Sequence, residues 1–435
     1  MKFYSTSGKH ETDLVGAIHN GLAPDGCLYI PEFLPKFNPN DIGGTSVAEI
    51  ANQILYPFFK DSILEVDLED ICNESLNFPI ISNPLKHSIN ISLLELYHGP
   101  TAAFKDVGAR FLASTMDRYL ARKTDDTKVT TILVATSGDT GGAVAAAFYN
   151  RKNIRAMIFF PKEQVSPRQK HQLTCWDKNI KSFEVDGTFD DCQFLVKSAF
   201  NDKDLNTKHT LSAANSINIG RLLPQAAYHA AASIWNWRNY DKPSNFIIPT
   251  GNLGNALGCV WAKHMGMPIQ RIILAVNANQ SIPDYLSTGN WLPRQSINTL
   301  ASAMDVGNPS NMERLRFLIP SFQDLSNSIE SFSVNDEMIK NEIKKVYLNN
   351  DIVICPHTAT AFSAYEHLAV NKDDGCPFII DATAHAAKFN NIIEPIIGRE
   401  VDIPSSLGEL LKRKTNYSSL GKTLDDLVKH LDEWH

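Results

Sequence analysis

VTTILVATSGDTGGAVAAAFYNRKNIRAMIFF, residues 129–160, sets two apolar runs of strand length, VTTILVA and IRAMIFF, on either side of the helical pattern GGAVAAAFYN. That order reads as a βαβ unit of a parallel sheet. The theme recurs downstream in KSFEV before FDDCQFLVKSAF, NFIIP before NALGCVWAKHMG, RIILAV, and CPFIID before HAAKFNNIIEPII. A doubly wound α/β architecture is expected. The first 90 or so residues differ, with scattered prolines, a helix-like VAEIANQILYPFF and the acidic, apolar mix SILEVDLEDICNESL, and read as a separate N-terminal region. The helix INIGRLLPQAAYHAAASIWNW contains Pro224, which is expected to kink it or to begin a second helix.

At 435 residues the chain exceeds what one core usually fills, so two or three domains are expected. Its 43% hydrophobic and 20% charged residues suit a globular protein and not a disordered one. Net charge is −7 and no basic block stands out, which gives no footprint for nucleic acid. The start, MKFYSTSGKHETDLVG, lacks the apolar centre of a signal peptide, and no run approaches the roughly 18 apolar residues of a membrane span. A cytoplasmic location is the expectation. Seven cysteines lie far apart without a C-x-x-C pair, and thirteen histidines form no ligand spacing, so neither a disulfide framework nor a metal is expected.

Three loops follow apolar strands. ATSGDTGGA, residues 135–143, offers hydroxyls and free N–H groups at a helix start, where the dipole favours an anion; helix capping by Asp139 or Thr140 explains the same residues. PTGNLGN, residues 249–255, has two glycines that let backbone approach a ligand, although a tight strand-to-helix turn also needs them. IIDATAHAAKF, residues 379–389, ends its strand at Thr383, whose hydroxyl could equally cap a helix. Ligands of open α/β sheets sit outside the carboxyl ends of strands, so the three loops can share a crevice. In ELYHGPTAAFKDVGARF, residues 95–111, Lys105 follows Ala102, Ala103 and Phe104 where a turn gives way to an apolar helix. Alone it reads as a surface lysine. With the loops it supplies what pyridoxal phosphate needs: an amine to carry it, a phosphate cup and a partner for the ring nitrogen.

LYHGPTAAFKDVGARF, ATSGDTGGAVAAAFY, the pair Ser166-Pro167, NSINIGRLLPQ, PTGNLGN and ATAHAAKF resemble, in order and spacing, the motifs of the threonine synthase family in its longer-chain form. GLAPDGCLYIPEFLP and ASAMDVGNPSNMERL extend the likeness to nearly the whole chain. The resemblance implies fold type II of the pyridoxal-phosphate enzymes: an N-terminal region over 1–90, a larger cofactor-binding α/β domain from 91–128 and 240–435, and a smaller one over 129–239 that contributes the substrate loop. It implies Lys105 as the covalent anchor of the cofactor, Gly251, Asn252, Leu253, Gly254 and Asn255 as the loop on its phosphate, and Thr383 as the partner of the pyridine nitrogen. Ala382 stands where many relatives carry glycine. A hydroxyl partner leaves that nitrogen largely unprotonated, so much of the proton traffic falls to Lys105.

The substrate implied is O-phosphohomoserine, held by Ser137, Asp139 and Thr140 with Asn215, Ser216 and Arg221. Arg221 is the natural phosphate fork, unless it is an exposed helical arginine. An ionised Asp139 would repel the cofactor's phenolate oxygen, which leaves its role open. The implied reaction removes the Cα and Cβ protons, eliminates the γ-phosphate and adds water at Cβ to give threonine. A related dehydratase or lyase of the same fold, and a catalytically silent phosphate-ligand binder, are the competing readings. GNLGN in place of a tetraglycine loop argues against the dehydratase, and retention of Lys105 against the binder.

Overall fold

Thr130–Ala135 and Ile154–Pro161 lie side by side as parallel strands, in register from Thr130 opposite Ile154 to Ala135 opposite Phe159. The helix Asp139–Phe148 crosses between them. The computed structural model describes residues 1–86, 90–123, 129–163, 165–368 and 375–434. Around the opening pair stands a five-stranded parallel sheet in the order Ser418–Leu420, Ile180–Val185, Ile154–Pro161, Thr130–Ala135, Thr210–Ala213. The chain winds outward from Thr130–Ala135 and later returns to its other side, so the loop after that strand sits at a switch point.

A second sheet has six strands in the order Glu330–Ser333, Ile269–Val276, Ser244–Pro249, Phe378–Ala382, Ile91–Glu95, Ile81–Pro84, all parallel except the last. Its central strands are buried on both faces, as parallel strands covered by helices must be. Ile247, Ile273 and Ile380 face one core, while Phe246, Leu274 and Ile379 face the other.

The N-terminal region adds a three-stranded antiparallel sheet and three helices, but it has no core of its own. The helix Val47–Phe59, started by a capping box between Ser46 and Glu49, buries Ile50, Ile54, Leu55 and Phe58 in the cluster that holds Phe111 and Leu222. Each such side chain contributes roughly 1.5–3 kcal/mol, so this region is fastened to the helices behind the site.

Three sequence expectations shift. Ile81–Pro84, placed in the N-terminal region, edges the six-stranded sheet. Ser418–Leu420, placed with the larger domain, pairs with Ile180–Val185 of the smaller sheet. Pro224 begins no second helix, because Ile219–Tyr240 runs on as one helix with the proline near its start. The junction drawn at residue 128 lies outside the described residues. Among the described residues no helix is long and apolar enough to cross a membrane.

Candidate active site

Lys105 is the first residue of the helix Lys105–Arg122, and the loop before it is stitched to the end of the strand Phe378–Ala382. Leu96 N–H donates to Ala382 O, Phe104 N–H to Thr383 O and His385 N–H to Ala102 O, at 3.0, 2.8 and 3.0 Å. Holding that path puts Ala102 at φ 55°, a left-handed conformation that costs a non-glycine residue roughly 1 kcal/mol or more. Asp106 locks the turn by accepting Thr101 N–H at 2.8 Å and Thr101 Oγ1–H at 2.7 Å. Gly99 has no substitute here, since a Cβ would lie 2.5 Å from Asp106 Oδ2. Lys105 is thereby delivered beside Thr383, half-buried on the wall of a cavity of about 800 Å³. Burial lowers its pKa to about 8, aided by the Arg221 and Lys388 cations and opposed by Asp139.

The loop Gly251–Asn255 follows Ser244–Pro249 and opens the helix Gly254–His264, whose first N–H groups have no partner within the helix. The two glycines have different reasons. A Cβ on Gly251 would meet the Met304 backbone at 2.6 Å, so the protein itself excludes one. A Cβ on Gly254 would find its nearest neighbour, Ser216 Cβ, at an ordinary 3.5 Å, so packing within the protein does not itself demand glycine there. Leu253 takes φ 60° to aim the loop. Asn252 ties the loop to the segment before the helix Ile219–Tyr240, donating from Nδ2 to Ser216 Oγ at 2.6 Å. Asn311 donates to Asn252 O and Ser216 O at 3.0 and 3.2 Å and is itself held by the buried Arg314. Behind the loop, Asn255 donates to Asp381, which also pairs with His229 at 3.0 Å.

In the loop after Thr130–Ala135, Thr136 Oγ1 accepts Gly138 N–H and Gly141 N–H at 3.0 and 2.9 Å, and Gly138 stands at the cap position with φ 139°. Neither Asp139 nor Thr140 caps the helix, and both line the cavity with Ser137. Burial works against the Asp139 carboxylate, yet Lys388 and Lys105 outweigh it and hold the carboxyl well below its usual range. The ion pair with Lys388 Nζ is 2.8 Å long. Thr383 is equally free of a capping duty, because the His385 side chain accepts Ala387 N–H there.

Arg221 differs most from expectation. It is 3% exposed, with NH1 donating to Ala214 O at 2.5 Å and NH2 to Lys105 O at 3.5 Å, so its fork is anchored on backbone. Among the described residues it has no carboxylate partner, and burial pulls its pKa down to about 10 despite Asp106 nearby. It is a fixed charge at the root of Lys105. His357, missed in the sequence, also lines the cavity; its Nε2 accepts Ala303 N–H at 3.1 Å, and burial lowers its pKa to about 4. CPHTATAF carries no spacing that marks it.

Asn215 Oδ1, Arg221 Nε, Gln225 Oε1 and His357 Nδ1 are buried, belong to residues lining the cavity, and make no hydrogen bond among the described residues. Buried polar atoms of that kind mark a site built around a polar ligand. An amine, a glycine-edged helix start and a strand-end hydroxyl on one wall fit pyridoxal phosphate.

Residues 2–76 match the family described as threonine synthase N terminus, 78–377 that of pyridoxal-phosphate dependent enzymes, and 358–431 the threonine synthase C-terminal family. Threonine synthase of Buchnera aphidicola subsp. Schizaphis graminum is 35% identical over 442 residues, covering 100% of this chain and 99% of its own. The crystal structure of Escherichia coli threonine synthase superposes with a TM-score of 0.90 at 32% identity, over 100% of each chain. The Brucella melitensis threonine synthase, solved with pyridoxal phosphate bound, gives 0.90 at 32% identity over 99% of this chain and 98% of its own. Since backbone and sequence agree along the full length, this chain belongs to the threonine synthase family, pyridoxal-phosphate-dependent lyases of fold type II.

Proposed function

We propose that the chain converts O-phosphohomoserine and water into threonine and inorganic phosphate, with Lys105 bearing the cofactor. One observation carries this reading: Lys105, Gly251–Asn255 and Thr383 share their cavity with Ser137, Asp139, Thr140, Asn215, Ser216 and Arg221, so two anion-friendly segments flank one amine. Gly251–Asn255 would hold the cofactor phosphate on the free N–H groups of the helix start, and Thr383 would serve as the partner of its ring nitrogen. The cofactor loops come from the six-stranded sheet, and the substrate loop from the five-stranded one. Pyridoxal phosphate, when bound, supplies an electron sink for the substrate's α-carbon. Lys105, with a pKa near 8, is a base that takes and returns protons at the substrate carbons. Ser137, Thr140, Asn215 and Ser216 orient the substrate by hydrogen bonds, and the fixed charge of Arg221 favours its phosphate.

Incubation with O-phosphohomoserine should yield threonine and phosphate in equal amounts. Release of 2-oxobutyrate with phosphate would instead make the chain a lyase of another kind.

Arg221→Gln removes the buried charge and its anchors. A charge-assisted bond is worth about 1.5–3 kcal/mol, so kcat/KM should fall roughly 10- to 100-fold while the spectrum of bound cofactor persists. Steady-state kinetics check this, and full kcat/KM in the variant would remove Arg221 from the substrate site.

Only the neutral amine of Lys105 can attack the cofactor's aldehyde. Its capture rate by cofactor-free protein should therefore climb with pH and level off above about 8, as read by stopped-flow absorbance.

A further inference from the structure

We propose that Lys388 is a positioning residue: it takes the ion pair that Asp139 would otherwise make with Lys105, and so leaves the cofactor-bearing amine free to act. The inference rests on the assignment of Lys105 above. Lys388 lies in the short turn Ala386–Phe389, beyond Thr383, and is 0% exposed. Its Nζ donates to Thr101 O at 2.8 Å and meets Asp139 Oδ1 at 2.8 Å. Gln169 Nε2 donates to the same Asp139 oxygen at 2.9 Å. The backbone around the lysine is clamped as well, since Ser166 Oγ donates to Lys388 O and Arg168 to Ala387 O. Lys388 thus bridges the lysine loop, the loop after Thr130–Ala135 and the segment after Thr383.

A fully buried lysine in an ion pair is weak support for stability, because both charges must leave water. Its place explains it better. Asp139 is the carboxylate whose field acts on Lys105, and among the described residues Lys105 has no ion pair of its own. Were Asp139 uncompensated, it would hold Lys105 as an ammonium ion, which is neither nucleophile nor base. Lys388 works against that attraction, both by pairing with Asp139 and by its own effect on Lys105. The other charged or titratable groups acting on this centre are Arg221 and His357, the latter coupled to Asp139, Lys105 and Lys388, with Cys355 beside Asp139 and His385 beside Lys388, while Asp106 is turned onto Thr101.

The test is the pH titration of visible absorbance in cofactor-loaded protein, where the Lys105 nitrogen is bonded to the cofactor and its proton reports the same surrounding charges that act on the free amine. Lys388→Met should raise the apparent pKa by about 1 unit or more, and Lys388→Arg should keep it. Asp139→Asn should lower it, and the double variant Asp139→Asn/Lys388→Met, with both charges gone, should return toward the parent. A folded, loaded Lys388→Met with the parent titration would overturn the proposal and leave the pair a purely structural bridge. If Lys388→Met does not fold, Asp139→Asn decides, and an unmoved titration there overturns the proposal equally. Borohydride reduction of the parent followed by peptide mapping checks the Lys105 assignment separately, so the two ideas can fail independently.

Discussion

Lys105→Ala is expected to fold, to retain pyridoxal phosphate only weakly through Gly251–Asn255, and to lose turnover by at least ~10⁴-fold. Positioned proton transfer alone is worth up to about that factor, and covalent anchoring is lost with it. The fold should survive because Lys105 caps no helix and makes no ion pair among the described residues, while the stitches to Ala382 and Thr383 run through backbone. Borohydride treatment of the parent followed by mapping should place the pyridoxyl group on Lys105, and the variant should show no such adduct. Recovery of the group on another lysine would refute the assignment.

The second large effect is on cofactor retention. Gly254→Val puts a branched side chain where the protein has ordinary room, 3.5 Å from Ser216 Cβ, but where a phosphate must approach the helix start. Loss of one charge-assisted hydrogen bond gives roughly 10- to 100-fold weaker binding, and steric exclusion adds to it. Equilibrium titration with the cofactor, alongside a melting curve without it, separates this from misfolding. Gly251→Ala provides the contrast: with Met304 backbone 2.6 Å from the new Cβ, the melting curve itself should move. Unchanged affinity in folded Gly254→Val would take the phosphate away from this loop.

Long apolar strands such as Thr130–Ala135 and Ser244–Pro249 were legible because both faces of a parallel sheet are covered, which leaves no polar alternation to confuse the pattern. The loops after them were legible as sites because small polar residues and glycines concentrate there. Ser418–Leu420 was not, being short and mostly exposed, with pairing as the only thing that makes it a strand. Nor could spacing show that Thr136, rather than Asp139 or Thr140, would satisfy the helix start and release both for other work. The anchoring of Arg221 on Lys105, and the meeting of Lys388 with Asp139, join segments far apart in the chain. No local pattern encodes them. Lys388 stood in a recognised block, yet only Thr383 was drawn from it.

The pairing of Ser418–Leu420 with Ile180–Val185 also bears on the order of synthesis. Ile180–Val185 is made long before its outer neighbour, and Leu427 and Leu431, which complete the apolar cluster around Phe159 and Phe183, come later still. Until that late segment is made, the smaller sheet presents an open edge and an apolar cluster covered only in part, by the helix Phe189–Asn201, and an open edge is a surface on which strands of other chains add. A chain truncated before residue 418 is therefore expected to aggregate more readily than the full chain, as light scattering of the two would read.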